Sequence, residues 1–209
     1  MDKILDVPYY RQNEPGNGLN EFWQNRSCGI LAIRMVVDYY RIKKHQEPIK
    51  LTELFDRTLK AGGVNDAGNW LHSALVESAR TYGLIAWRRN WRLSSYGTKM
   101  FKKEGADAET LKIVDVQQSG EAIPTLISFL MQDYPVIISV AKNFDEIERP
   151  HLVVMTGFRI DKNGRVEGIY YNDPYTPSDD RKNGYVDIER FQNRWNFRAI
   201  FVKPKESIS

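Results

Sequence analysis

The period of the hydrophobic pattern changes once along this 209-residue chain, near Gly83, and that change constrains the fold more than any single motif. Before it, apolar residues recur at three- and four-residue spacing. Ile30, Ile33, Val36, Val37 and Tyr40 make one stripe, with Arg34, Asp38 and Arg41 together on the other side, which predicts an amphipathic helix. Leu71, Ala74, Leu75, Ser78 and Tyr82 make a second stripe, closed by Gly83 as a C-cap, and LTELFDRTLKAG adds a third helix that ends in glycine. After Gly83 the dominant period is two. In LIAWRRNWRL, Ile85, Trp87, Arg89, Trp91 and Leu93 alternate with Ala86, Arg88, Asn90 and Arg92, a strand with one mainly apolar face. YPVIISV reads as a buried strand, HLVVMTGFRI and VEGIYYNDPY as a hairpin around DKNG, and RAIFVKP as a closing strand; AIPTLISFLMQD and DIERFQNRW are short helices. Helices first and antiparallel strands after predict an α+β fold, not alternating βαβ units.

The whole chain, residues 1–209, is expected to form a single domain, because it contains no internal repeat, no low-complexity tract and no linker. The segment 94–108 is the expected mobile loop. Thirty basic and twenty-seven acidic residues give a net charge of +3 without a long Lys/Arg run, so nucleic acid is not an expected partner. The basic-aromatic run WRRNWR hints at an acidic ligand or a nucleic acid, but its two-residue alternation is better met by a sheet edge with its tryptophans inward. No apolar run approaches membrane-spanning length, and MDKILDVPYY lacks the apolar core of a secretory signal, so a soluble chain without an address is expected. One cysteine excludes an internal disulfide and a four-cysteine zinc site. No metal or organic cofactor is expected.

That cysteine, Cys28, lies where the polar loop NEPGNGLNEFWQNRS turns into the helix-patterned run. Ser27 is placed to cap the helix with its hydroxyl, and Cys28 would open it. Unpaired N–H groups and aligned peptide dipoles at a helix start favour an anion and so favour the thiolate. Gly29 would let another backbone or a substrate approach closely. A lone cysteine is ordinarily a small buried hydrophobe, and on these features nucleophile and structural thiol are equally good readings.

A thiolate nucleophile needs a base and a group that orients the base. His45 sits among charged residues and reads as solvated; His72, near the edge of an apolar stripe, reads as a partly buried packing residue. His151 opens the most apolar strand in the chain, at a sheet end held by a rigid element. If the hairpin reverses at 162–164, the residues around 172–176 come opposite His151, and this window holds Asn172 and Asp173. Either one would accept a hydrogen bond from the imidazole Nδ1–H and set its tautomer. The backbone N–H of Cys28, with Gln12 or Gln24, would supply oxyanion donors.

VPYYRQ, SCGILAIRMVVDYY, GNWLHSALVESARTYGL, YPVIISV, HLVVMTGF and YYNDPY, with FQNRW and a last strand, together resemble the cysteine peptidase family thirty-nine. This is the bacteriocin-processing double-glycine type, and the likeness is to its stand-alone members. The resemblance implies a papain-like cysteine proteinase fold, with a nucleophile helix packed on a C-terminal antiparallel sheet. It implies Cys28 as nucleophile, His151 as general base and then acid, Asp173 as the residue orienting His151, and Gln12 as the oxyanion-hole glutamine. The gap from Gln12 to Cys28 is longer than is usual in papain-like peptidases, which keeps Gln24 as a rival; Ile30 stands where many relatives have proline. The implied activity is cleavage of a peptide or amide bond in a peptide or protein substrate. Two competing readings are a non-catalytic peptide-binding module and a transamidase or transpeptidase that passes the same thioester to an amine.

Overall fold

The computed structural model describes residues 1–66, 68–92, 120–144, 150–175 and 182–205, with Lys102, Ala108 and Glu109 besides. Apart from Lys102 and Ala108, the loop expected over 94–108 lies outside the described residues.

The first half is helical: after the short strand β1 (Asp2–Ile4) come α1 (Glu21–Gln24), α2 (Cys28–Lys43), α3 (Leu51–Lys60) and α4 (His72–Arg80). β2 (Leu84–Asn90), α5 (Ala122–Met131), β3 (Val136–Ala141), β4 (Pro150–Ile160), β5 (Val166–Asn172), β6 (Gly184–Asp187), α6 (Ile188–Arg194) and β7 (Trp195–Pro204) follow. The strands form one antiparallel sheet in the order β2-β7-β3-β4-β5-β6, with β1 also paired to β4. The change of period at Gly83, which has φ of +76°, is thus the change from helices to sheet.

The helix α2 is more buried than its pattern predicts. Ile30–Ile33 and Met35–Tyr40 are all buried, Asp38 included, so of the expected polar side only Arg34 and Arg41 keep partial contact with water. The chain on both sides of it in sequence covers Asp38. Tyr10 donates a hydrogen bond to Asp38 Oδ2 at 2.9 Å, the Ile49 N–H donates to Oδ1 at 2.8 Å, and the Arg34 guanidinium lies over the Tyr10 ring. Burial pushes the Asp38 carboxyl up, against the pull of Ile49, Tyr10 and Arg34 in the other direction. On its opposite flank α2 is pinned to the sheet by Tyr40, whose hydroxyl donates to the Val202 carbonyl at 2.7 Å.

A second difference concerns β2. Leu84 and Ala86 are buried while Ile85 is 38% exposed, so the apolar face is not the one that its alternation suggests. Both faces are covered in part: α4 packs along β2, and Trp87 stacks on Phe201 and meets Phe129 of α5 edge-on. The last strand also begins earlier than expected, at Trp195, because its pairing with β3 shifts between Ile138 and Val140 and lets Trp195 sit opposite Val140. Antiparallel pairing puts the C-terminal ends of β2 and β3 and the N-terminal ends of β7 and β4 at one edge of the sheet. The start of α2 lies at that edge, against the first residues of β4.

Candidate active site

Cys28 is the first residue of α2, so its N–H has no partner within the helix. Ser27 occupies the capping position but does not cap: its hydroxyl donates to the Gln24 carbonyl at 2.9 Å. The reason is local. The turn 25–27 carries on from α1 and leaves Ser27 at φ −80°, ψ 7°, not in the extended conformation that aims a capping oxygen at the helix. Gly29 is required by packing, since a Cβ there would lie 2.9 Å from Cβ and Cγ of Trp70. The close neighbour is therefore this tryptophan, which also donates from Nε1 to the Arg26 carbonyl at 2.5 Å.

His151, buried, stands at the start of β4 and lines the same cleft as Cys28, near enough for each to shift the other's protonation. Its Nε2 is 2.5 Å from Oδ1 of buried Asp173. The ring nitrogen facing the carboxylate is thus Nε2, not the Nδ1 expected from the sequence, and Nδ1 is left for the thiol. The same Asp173 oxygen accepts the Tyr175 N–H at 2.8 Å, and the Asp173 carbonyl accepts the Tyr9 hydroxyl at 3.0 Å.

Asn172 is turned elsewhere. It pairs with Val154, its amide donates to the Val7 carbonyl at 3.2 Å and its Oδ1 accepts the Asn183 N–H at 2.8 Å. Of the two residues that the hairpin window left open, only Asp173 reaches the imidazole. Gln12 is buried and lines the cleft with Cys28 and His151; its Nε2 donates to the Gln24 carbonyl at 2.9 Å and its N–H to the Pro174 carbonyl at 2.8 Å. The side chain of Gln24 points to the Leu19 carbonyl, at 2.8 Å, so the rival glutamine contributes its carbonyl to holding Gln12.

The protonation states follow from this geometry. Burial alone would raise the Cys28 thiol, but the adjacent His151 imidazole and the N–H groups of Leu152 and Gly29 outweigh it and bring the thiol below its ordinary value. Burial alone would lower His151, but Asp173 and the Cys28 sulfur raise it to about 9. Near neutral pH both effects favour a thiolate–imidazolium pair.

The cleft around this pair has a volume of about 370 Å³ and is lined by Gln12, Asn25, Arg26, Cys28, Gly68, Asn69, Trp70, His72, Ser139, Lys142, His151 and Leu152. The sequence pointed to Gln12, Cys28 and His151 here and missed Trp70, Ser139 and Lys142, whose residue types carry no chemical signal by themselves. Lys142 lies over the Tyr175 ring at 3.1 Å, and that ring meets His151 edge-on. His72 is half-buried as expected, but at the cleft wall, while His45 is exposed. Among the described residues no group of three or more His, Cys, Asp or Glu side chains comes together to hold a metal ion.

The model of the Peptidase_C39 like family matches residues 4–199. The chain belongs to this family. Its fold is also that of family-thirty-nine peptidase structures. A C39-like protein from Bacillus anthracis is 16% identical at a TM-score of 0.59, with 98% of this chain and 99% of that one covered. The double glycine motif protease of an AMS/PCAT transporter, solved in complex with the leader peptide, is 21% identical at a TM-score of 0.52, covering 97% of this chain and 94% of that one. The peptidase domain of Streptococcus ComA, a bi-functional ABC transporter involved in a quorum sensing pathway, is 17% identical at a TM-score of 0.50, covering 87% and 93%. Comparison with curated proteins returned no significant match. The architecture is therefore the α+β, papain-like one that the resemblance implied. Among the described residues no helix is long and apolar enough to cross a membrane.

Proposed function

We propose that this chain, as one papain-like domain over residues 1–209, is a cysteine peptidase that cleaves a peptide or amide bond through a thioester on Cys28. The observation that carries the reading is that Cys28 and His151 line one cleft, with the His151 imidazole held by the Asp173 carboxylate at 2.5 Å and set against the Cys28 sulfur.

In this reading the Cys28 thiolate attacks the carbonyl carbon. The oxyanion is met by the Cys28 N–H and by the Nε2–H of Gln12 that does not bond Gln24. The C–N bond breaks as the His151 imidazolium gives its Nδ1 proton to the leaving amine, leaving the acyl group on sulfur. His151, now neutral, takes a proton from water as the water attacks the thioester, and thiolate and imidazolium are restored with release of the acid. Asp173 keeps the ring in place and favours its charged form throughout. No cofactor is needed, and the substrate is a peptide or a protein. An amine in place of water would give transfer, and the chain has the same machinery for both.

The test is the pH dependence of Cys28 alkylation by iodoacetamide, in the parent and in His151→Ala. Fast labelling with an apparent pKa well below about 8.5, lost in the variant, supports the activated pair. Slow labelling that ignores His151 would overturn it and favour a structural thiol.

A further inference from the structure

The arginines of WRRNWR do not all have partners. Arg89 pairs with Glu121, and Arg92 lies over Phe197. Arg88 is exposed, and its side chain has no hydrogen bond, ion pair or ring contact among the described residues; the same holds for exposed Arg198. The β2–β7 register sets them on one face, since Arg88 is opposite Ile200 and Arg198 is opposite Asn90. That face points to α4, and the first residue of α4 is His72, which lines the cleft. Burial, then the positive charges of Arg198 and Arg88, hold the His72 ring low, at about 4, so it lines the cleft as a neutral ring within the field of both arginines.

The sheet carries this patch to the reacting atoms. Leu152, beside His151, is opposite Ser139, and Arg198 precedes Ala199, which is opposite Ile138. From β4 the order is therefore Ser139 on β3, Arg198 on β7 and Arg88 on β2. At about 4.8 Å per strand, Arg198 lies roughly 10 Å from the β4 backbone, a span that an extended peptide covers in about three residues. The remaining charges have the same sign. Arg26 and Lys142 line the cleft and no carboxylate does among the described residues. The first turn of α4 has no acidic residue, and Leu71 at its N-cap has no side-chain acceptor, so the positive end of that helix is left uncompensated by its own sequence.

We propose that the cleft takes acidic peptides: a Glu or Asp side chain within about four residues of the scissile bond is received by His72, Arg88 and Arg198. This rests on reading the cleft as the peptide-cleaving site, and it assigns a substrate class to it. Trp87 and Trp91 are packed against Phe201, so the aromatic half of the motif is used in the core and is not a platform for bases, which favours a peptide over a nucleic acid.

The test is binding to the full-length Cys28→Ala protein, so that cleavage does not enter. Fluorescein-labelled nonapeptide pools, randomised in uncharged residues, carry one Glu, one Gln or one Lys scanned over the positions, and affinity is read by fluorescence polarisation at low and moderate salt. Glu pools should bind roughly tenfold tighter than Gln pools at low salt and Lys pools weaker, with the preference shrinking as salt rises. The Arg88→Gln/Arg198→Gln double variant, checked for folding by its melting curve, should lose most of the preference, and Arg88→Lys/Arg198→Lys should keep most of it. Equal binding of Glu and Gln pools, an unchanged preference in the glutamine variant, or tighter binding of a single-stranded oligonucleotide than of any Glu pool would each overturn the proposal. Incubating the same pools with the parent separates the two readings. Charge-selective binding without hydrolysis would reject the peptidase and keep the acidic-peptide site, whereas hydrolysis indifferent to charge would do the reverse.

Discussion

His151 is carried by β4 and Asp173 directly follows β5, its paired strand, whereas Gln12 stands in the segment 5–20, which has no helix or strand of its own. The strand-borne pair is positioned by a ladder: β4 is flanked by β3 on one side and β5 on the other, and Leu152–Met155 are buried. The position of Gln12 depends on a few separate polar bonds, from its N–H to Pro174, from its Nε2 to Gln24 and from Asn17 to its own carbonyl at 2.9 Å. Upstream, the Tyr10–Asp38 bond anchors the same segment to α2. A ladder distributes the positioning over many backbone bonds, so losing one side chain rarely moves it. A loop held by single side-chain bonds has no such reserve.

The largest effect is expected at the residue that joins both regions. Cys28→Ala should reduce peptide hydrolysis to the uncatalysed background while the melting temperature moves by only a few degrees, since the change removes one small, half-buried group. Activity assays with thermal melts check this, and an unfolded variant would return Cys28 to a packing role.

Next come the neighbours Asp173 and Asn172, which differ in direction. Asp173→Ala should lower kcat/KM by about two to three orders of magnitude. It should also shift the alkaline limb of the rate profile. In the proposed mechanism the parent's limb is expected near 9, where His151 would give up the proton that the leaving amine needs. Without the carboxylate that raises it, His151 loses that proton at lower pH, so the limb moves down. Asn172→Ala should cost stability instead, about 1–3 kcal/mol, by leaving the Val7 carbonyl and the Asn183 N–H without a partner. Denaturant curves and pH–rate profiles of the two variants separate the effects, and the reverse pattern would move the orienting role to Asn172.

The same contrast governs what the sequence discloses. The strand-borne half was legible because period-two alternation and a DKNG reversal bring 172–176 near His151 from local pattern alone. The choice between Asn172 and Asp173 was not, since the β4–β5 pairing shifts twice, between Met155 and Gly157 and between Arg159 and Ile160. Each shift changes which residues stand opposite one another. The choice of ring nitrogen depends on a side-chain rotamer, which alternation does not encode. In the loop-borne half, Gln12 was found by its residue type, and Gln24 stayed a rival because nothing local shows that its carbonyl, not its amide, takes part. The burial of Asp38 was hidden for a like reason: its cover comes from Tyr10, distant in sequence, so the helix pattern alone read it as solvent-facing.

The smaller predictions bear on the loop. Gln12→Ala should lower kcat by about two orders of magnitude, as for loss of one oxyanion donor, while iodoacetamide alkylation of Cys28, which forms no oxyanion, changes little. Equal losses in both assays would mean that the glutamine supports the thiol and not the oxyanion. Tyr10→Phe reaches the same residue indirectly. It removes one donor from Asp38 Oδ2, leaving the carboxylate the Ile49 N–H and the Arg34 guanidinium, 3.5 Å away. The stability cost should be about 1 kcal/mol. If the Tyr10 anchor holds Gln12 in register, kcat should fall several-fold with it and the alkylation pKa should stay where it is. If the bonds to Pro174 and Gln24 hold Gln12 unaided, stability alone should fall, and the loop would then be as redundantly held as the strands.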